Sequence, residues 1–275
     1  MKTKISLLCI ACFGLISARL QGQNILLHPA VTSMYPVGSV ADSIEVFGFV
    51  GNPAIEVQNK RNLIGLYHQR PYFIEGVNNI MAAATFSGIE SDSKLGICFA
   101  RNAFSGYHQS EGMLSYAKSL NKEIALGIQL GARVVHYPET KNILMPFGKI
   151  GIQIRPGQTY KIGFCLAQYA DFSASRNKLY LPTSIQAGLG LNITRDFFAA
   201  VDFRQSVGVD PELIIFMRHQ LHKMVAVHWG MTLLQGKADA AVTFQLHRMN
   251  LGLSSAYHPQ LGFSPGLNIS YAIYN

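Results

Sequence analysis

The sequence predicts an all-β fold, a transmembrane antiparallel barrel of about 14 strands. Three observations predict it: apolar residues alternate with period two along most of the chain, the amino terminus carries an export segment, and charge is scarce with no helix-length apolar run. The clearest strand runs from Glu123 to Val135. Its even positions Ile124, Leu126, Ile128, Leu130 and Val134 are large and apolar, and Ala132 is small. Its odd positions Glu123, Ala125, Gly127, Gln129, Gly131 and Arg133 are small or polar. In a pleated strand those two sets point to opposite faces.

The export segment is short. Lys2 and Lys4 precede an apolar run from Ile5 to Ile16, followed by small or polar residues to Gln23. That is a charged n-region and an h-region of secretory length, too short to span a bilayer as a helix. Residues 1–22 are therefore read as a signal peptide; Gly22 suits the cleavage site, although Leu20 departs from the small-residue pattern. Cys12 lies inside the apolar run, not at a lipoprotein cleavage site. Removing 1–22 takes away Lys2, Lys4 and Arg19 and no acid, which lowers the formal charge from +8 to +5. Such a surplus, without a basic run interleaved with aromatics, calls for no nucleic-acid partner. Charged residues make up 14% and apolar ones 49%, the balance of an exported barrel rather than a water-soluble domain. The predicted location is the outer membrane of a Gram-negative bacterium, with membrane lipid as the first partner.

Strands are predicted at 62–70, 78–86, 93–102, 108–118, 123–135, 145–155, 160–169, 184–193, 197–205, 212–219, 224–233, 239–246, 249–257 and 266–274. The barrel then occupies 61–275. Tight connections at Ser119–Lys122, Pro156–Gln158, Thr194–Asp196, Gln220–Lys223 and Arg248 alternate with longer ones at His136–Leu144, Ala170–Thr183 and His258–Pro265. Short periplasmic turns and longer outer loops alternate in this way in outer-membrane barrels, although Ser87–Asp92 is long for a turn. A soluble β-sandwich would also alternate, but its wet face would carry Lys, Glu and Thr. Here Ser184, Gln186, Gly188, Gly190 and Asn192 oppose Ile185, Ala187, Leu189, Leu191 and Ile193, and a small neutral face suits a crowded barrel interior. Aromatics near strand ends (Tyr116, Tyr137, Phe147, Tyr160, Tyr169, Phe197, Tyr257, Tyr271) are expected in interface girdles. Cys98 and Cys165 share the small-residue face of well-separated strands and are expected to be free thiols in the lumen.

By the same parity Glu123, Gln129, Arg133, Lys149, Gln153, Arg155, Gln186, Asp202 and Arg204 face the lumen. Bracing across a small interior is the expected use of the charged ones, with partners for Arg133, Lys149 and Arg155 coming from other strands or from a segment inside the barrel. The outward face, for instance Ile150, Ile152, Ile154, Val225, Val227 and Trp229, needs only lipid. No catalytic set stands out. His219 and His222 form an H-x2-H pair across a turn without a further ligand, so no metal site is expected. Ser254, Ser255 and His258 have no acid after Asp239 to orient the histidine. Neither enzymatic activity nor a cofactor is expected.

Two segments carry a resemblance. Residues 38–54, which end in Asn52, Pro53 and Ala54, resemble the amino-terminal segment of the FadL-like outer-membrane barrels. That resemblance implies a fourteen-stranded barrel with residues 23–60 as a plug in the lumen. The stretch Leu251–Tyr271, with Tyr257, His258, Pro259, Leu261 and Gly262, is similar to the last hairpin of a subgroup near the type IX secretion barrels PorV and PorQ. Gly106-Tyr107, Leu114–Ala117, Leu126-Gly127 and Leu181-Pro182 recur there more loosely. The first likeness implies transport of hydrophobic small molecules. The second implies a partner-binding component of secretion or surface assembly, with His258, Leu261 and Phe263 on an outer loop. Polar lumen positions Gln129, Gln153, Gln186 and Asn192 favour the second over fatty-acid passage.

Overall fold

The computed structural model describes residues 40, 46–58, 61–88, 90, 92–104, 106–138, 142–157, 159–170, 183–207 and 209–273. The predicted signal segment 1–22 and the rest of 23–60 lie outside the described residues. A one-turn helix α1 (Gly48–Gly51) and a 3-10 turn (Pro53–Gln58) lead into fourteen strands. These are β1 (Asn62–Gln69), β2 (Asn78–Ser87), β3 (Ser93–Phe104), β4 (Tyr107–Ser119), β5 (Ile124–His136), β6 (Ile143–Ile154) and β7 (Tyr160–Tyr169). They continue as β8 (Ser184–Asn192), β9 (Phe197–Ser206), β10 (Glu212–His222), β11 (Val225–Thr232), β12 (Lys237–Leu246), β13 (Met249–His258) and β14 (Gly262–Ile273). Each strand pairs antiparallel with the next, and β1 closes on β14 through pairs such as Leu66↔Ile269, so no edge is left.

The alternation read from the sequence is the alternation of the wall. On β7 every odd residue from Lys161 to Tyr169 is buried and every even one from Tyr160 to Gln168 is exposed. The outward set is large and apolar; Leu130 is 67% exposed and Trp229 56%. Prolines sit where the ladder can spare an N–H. Pro265 on β14 lies beyond the last pair with β1, Gln69↔Gly266, and Pro146 on β6 lies beyond the first pair with β7, Phe147↔Tyr169.

The ends of the strands correct three expectations. The stretch His258–Pro265 is not an outer loop: β13 runs to His258 and β14 begins at Gly262, so Pro259–Leu261 is a tight turn. Gly262 at φ +88 permits that reversal, and Phe263 becomes an outward strand residue opposite Tyr257, with ring centroids 5.0 Å apart. Glu123 does not face the lumen; it is exposed in the turn before β5, where Asn121 Oδ1 accepts its N–H at 2.8 Å. Phe147 and Tyr169 are not girdle residues, because odd parity on β6 and β7 turns them into the interior, 5% and 2% exposed. The other six aromatics of that set are not buried: Tyr137, Tyr160, Tyr257 and Tyr271 are exposed, and Tyr116 and Phe197 intermediate.

Candidate functional site in the barrel lumen

The lumen is the candidate site, and it is filled rather than open along β3–β7. Pro53 biases the preceding residue to extended backbone, and Asn52 (φ −134, ψ 111) accordingly ends α1. The Asn52 side chain then closes a local turn, its Oδ1 accepting the Ala54 N–H at 3.0 Å, and its Nδ2 donates to the Ile152 carbonyl at 3.2 Å. This triplet rests on Gly127 and Gly151, which face each other across β5 and β6. A Cβ on Gly151 would lie 1.9 Å from Asn52 Oδ1, and one on Gly127 would lie 2.4 Å from the Ala54 nitrogen. The small inward face of β5 and β6 is therefore a seat for residues 52–54.

Further along, residues 46–50 enter an apolar cluster inside the barrel. Val46, Phe47, Phe49 and Val50 pack with Leu63, Tyr67, Met81, Met113, Phe147 and Tyr169. The Phe47 and Tyr67 rings meet edge to face with centroids 6.3 Å apart. A second cluster of Val40, Phe198, Ala200 and Phe216 lies against β9 and β10.

Arg133, Lys149 and Arg204 are braced, whereas the buried Arg155 Nε has no hydrogen-bond partner. Arg133 is fully buried and forms an ion pair with Glu111 directly opposite on β4, Nη2 to Oε2 at 2.7 Å. The same guanidinium donates to the Tyr169 hydroxyl at 3.0 Å and lies 4.6 Å from that ring's centroid. Lys149 donates to the Val50 carbonyl, so its partner comes from the segment inside the barrel. Arg204 pairs with Glu212 at 3.1 Å, Glu212 accepts from Gln235 at 3.0 Å, and the Gln186 amide oxygen, turned toward the guanidinium, accepts from Arg204 at 2.9 Å. Gln129 and Gln153 are buried inside, and the Gln129 amide reaches the Met113 sulfur at 3.0 Å. Asp202 is buried on β9. Arg155 lies just past the end of β6, in the turn.

Glu111, Phe147, Phe198 and the residues of α1 are the lumen residues that parity reading passed over. Glu111 was legible, since it shares the buried set of β4 with Gln109, Met113 and Ser115. Cys98 and Cys165 are buried free thiols, and the Cys165 thiol donates to the Gly51 carbonyl at 3.3 Å. Elsewhere, His219 sets its ring against Phe197, and His222 Nδ1 accepts the Met224 N–H. Among the described residues no group of His, Cys, Asp or Glu comes together to hold a metal. Ser254 faces inward and His258 stands at the strand end, four positions along β13.

The sequence matches no protein-family model and no curated relative. Its fold is that of solved barrels of low sequence identity. The toluene transporter TodX of Pseudomonas putida superposes with a TM-score of 0.63 at 8% identity, covering 92% of this chain and 98% of that one. A FadL homologue of Pseudomonas aeruginosa gives 0.59 at 8% identity, covering 89% and 98%. The toluene transporter TbuX of Ralstonia pickettii gives 0.58 at 10% identity, covering 92% and 98%. At such identities the likeness speaks for the fold.

Proposed function

We propose that this chain is a FadL-like, non-enzymatic barrel of the Gram-negative outer membrane that passes hydrophobic small molecules. The observation that carries this reading is the apolar cluster inside the lumen, built by Val46, Phe47, Phe49 and Val50 against Leu63, Met81, Met113 and Phe147. Parity along the wall alone suggested a polar interior, and polarity weighed against apolar cargo. The inserted residues reverse that balance, because an apolar solute crossing the wall-to-wall interior would exchange contacts with Phe and Val rather than with water. The solved barrels of similar fold include toluene transporters, which supports the same solute class. In this reading the turn ends of the barrel, where β1 begins and β14 ends, face the periplasm.

The lumen is closed around residues 46–58, so passage requires that segment to shift. Proteoliposomes containing the protein should take up toluene and oleate faster than empty ones, while a polar sugar is excluded. A folded barrel that moves neither hydrophobic probe would overturn the reading. A second reading, a partner-binding component of a secretion or surface-assembly machine of the PorV/PorQ kind, rests on Leu261 and Phe263, 52% and 56% exposed at the opposite rim. Changing both to Ser should then abolish co-purification of a partner from native membranes while leaving hydrophobic uptake intact.

A further inference from the structure

β4 and β5 each carry one histidine on the outward face, at the end of the barrel away from where the chain enters. His108 and His136 are far apart in sequence, and the ladder makes them direct partners, since the pairing of β4 with β5 begins at His108↔His136. Opposed residues on one face of an antiparallel pair hold their Cβ atoms about 4.5–5.5 Å apart, within reach of one shared ligand. Here the imidazoles lie one against the other, with ring centroids 4.4 Å apart and planes inclined by 24°. Both residues are half-buried, and their neighbours on that face are small: Ala103 pairs with His108 from β3, and Ser110 stands two residues along β4. The H-x2-H residues at the other end behave differently. His219 turns its ring to Phe197 and His222 Nδ1 is taken by the Met224 N–H, so they do not stack.

Hydrogen bonding sets the tautomer of one ring. His136 Nδ1 lies 2.7 Å from Oδ1 of Asn142, an oxygen that only accepts, so Nδ1 carries the hydrogen and Nε2 keeps its lone pair. A ring nitrogen that donates to an oxygen while the other stays open is the arrangement of metal-ligating histidines, where it fixes the ring and raises its basicity. His108 makes no hydrogen bond with a described residue. Rotation about χ2, a broad torsion for histidine, suffices to turn two stacked rings toward one ion at about 2.0–2.1 Å from each nitrogen. No third His, Cys, Asp or Glu among the described residues joins the pair, so the protein supplies two ligands and water the rest. We propose that His108 and His136, with Asn142 orienting the second ring, bind one divalent transition-metal ion, Cu2+ in preference to Zn2+. Such an ion ties the outer ends of β4 and β5 together. The site lies on the outside of the wall and is independent of what passes through the lumen.

The test titrates the whole protein, purified without a histidine tag and folded in detergent, with Cu2+ and reads pulsed electron paramagnetic resonance. Wild type should bind one Cu2+ with two equatorial imidazole nitrogens. Excess Zn2+ should displace it, and the same excess of Mg2+ should not, because imidazole suits the former ion and oxygen ligands the latter. His108→Asn and His136→Asn should each leave at most one such nitrogen and weaken binding by about tenfold or more. Asn142→Ala should keep both nitrogens and weaken binding about tenfold, as loss of an orienting bond does. His219→Asn with His222→Asn should change neither reading. A wild type with one imidazole nitrogen, two nitrogens persisting in either single histidine variant, loss of the signal in the His219 and His222 control, or displacement by Mg2+ as readily as by Zn2+ would each overturn the proposal. An Asn142→Ala protein that binds like wild type overturns the orienting role. The heat-dependent gel shift of a folded barrel is read in parallel, and Asn142→Ala, in an exposed connection, carries the test if a histidine variant folds poorly.

Discussion

Arg133 and Ile128 lie on the same strand, on opposite faces, and show what each face demands of a residue. Arg133 is charged and fully buried, and it is tolerable because Glu111 and Tyr169 accept its hydrogen bonds. Removing one partner leaves the charge stranded. Glu111→Gln should therefore cost about 3–5 kcal/mol of stability, read from guanidinium-induced unfolding in lipid vesicles. Adding Arg133→Met should recover much of that loss; additive costs would show that the pair is not coupled. Ile128, by contrast, is 51% exposed on the outward face. Ile128→Arg should cost about 2–4 kcal/mol if that face meets the bilayer midplane, whereas Ile128→Leu should be close to neutral in the same assay.

Among elements, the informative contact is between residues 52–54 and the facing glycines of β5 and β6. Gly151→Val would place a branched side chain where Asn52 Oδ1 already sits, and the wall is the stiffer of the two partners. The segment should lift away and uncover Cys165, whose thiol now donates to Gly51. Maleimide labelling of Cys165 in the folded protein should be slow in wild type and many-fold faster in Gly151→Val, with Cys98 replaced by Ser in both. Equal labelling would mean that the segment is not held by this seat. The outer turns act differently. The β1–β2 connection folds over the β13–β14 hairpin, where the Tyr72 N–H donates to Ser264 Oγ at 3.0 Å and the Arg70 N–H to the Pro265 carbonyl at 3.0 Å. Tyr72 also sets its ring against His258, and its burial pushes the phenol pKa up from 10.0. A loop so tied protects the stretch of β14 that extends past β1.

For the whole molecule, closure is the decisive property, since it converts fourteen strands with two edges into a wall with none. Leu66 and Ile269 are opposite one another across the β1–β14 seam and both point outward. Directly opposed residues have Cα atoms within disulfide reach. The variant with Leu66→Cys and Ile269→Cys should form an intramolecular cross-link on mild oxidation of the folded protein, detectable as a mobility change on non-reducing gels. Leu66→Cys with Leu253→Cys should not, because β13 is one strand further round. Cross-linking of both or neither would argue against closure at this seam.

Strand by strand, the sequence by itself determined the wall. Period two is a local signal, so β7 was legible to the residue and most other strands to within one or two. It also placed polar residues such as Arg133, Gln153 and Asp202 on the inward face, although it turned Glu123 inward and passed over Glu111. What it left open depends on residues far apart in the chain. Gly127 and Gly151 reveal only that something must come close; the resemblance pointed to a plug ending in Asn52, Pro53 and Ala54, and tertiary structure alone seats that triplet on these two glycines, roughly a hundred residues away in the case of the Asn52 contact with Ile152. Phe147 looks like a boundary aromatic until the glycine it covers, Gly131, is known to lie beside it across the sheet. The polarity of the lumen was decided in the same way. Parity along single strands counts the wall's own side chains, whereas the interior that a solute would meet is finished by Phe47, Phe49 and Val50, which belong to no strand.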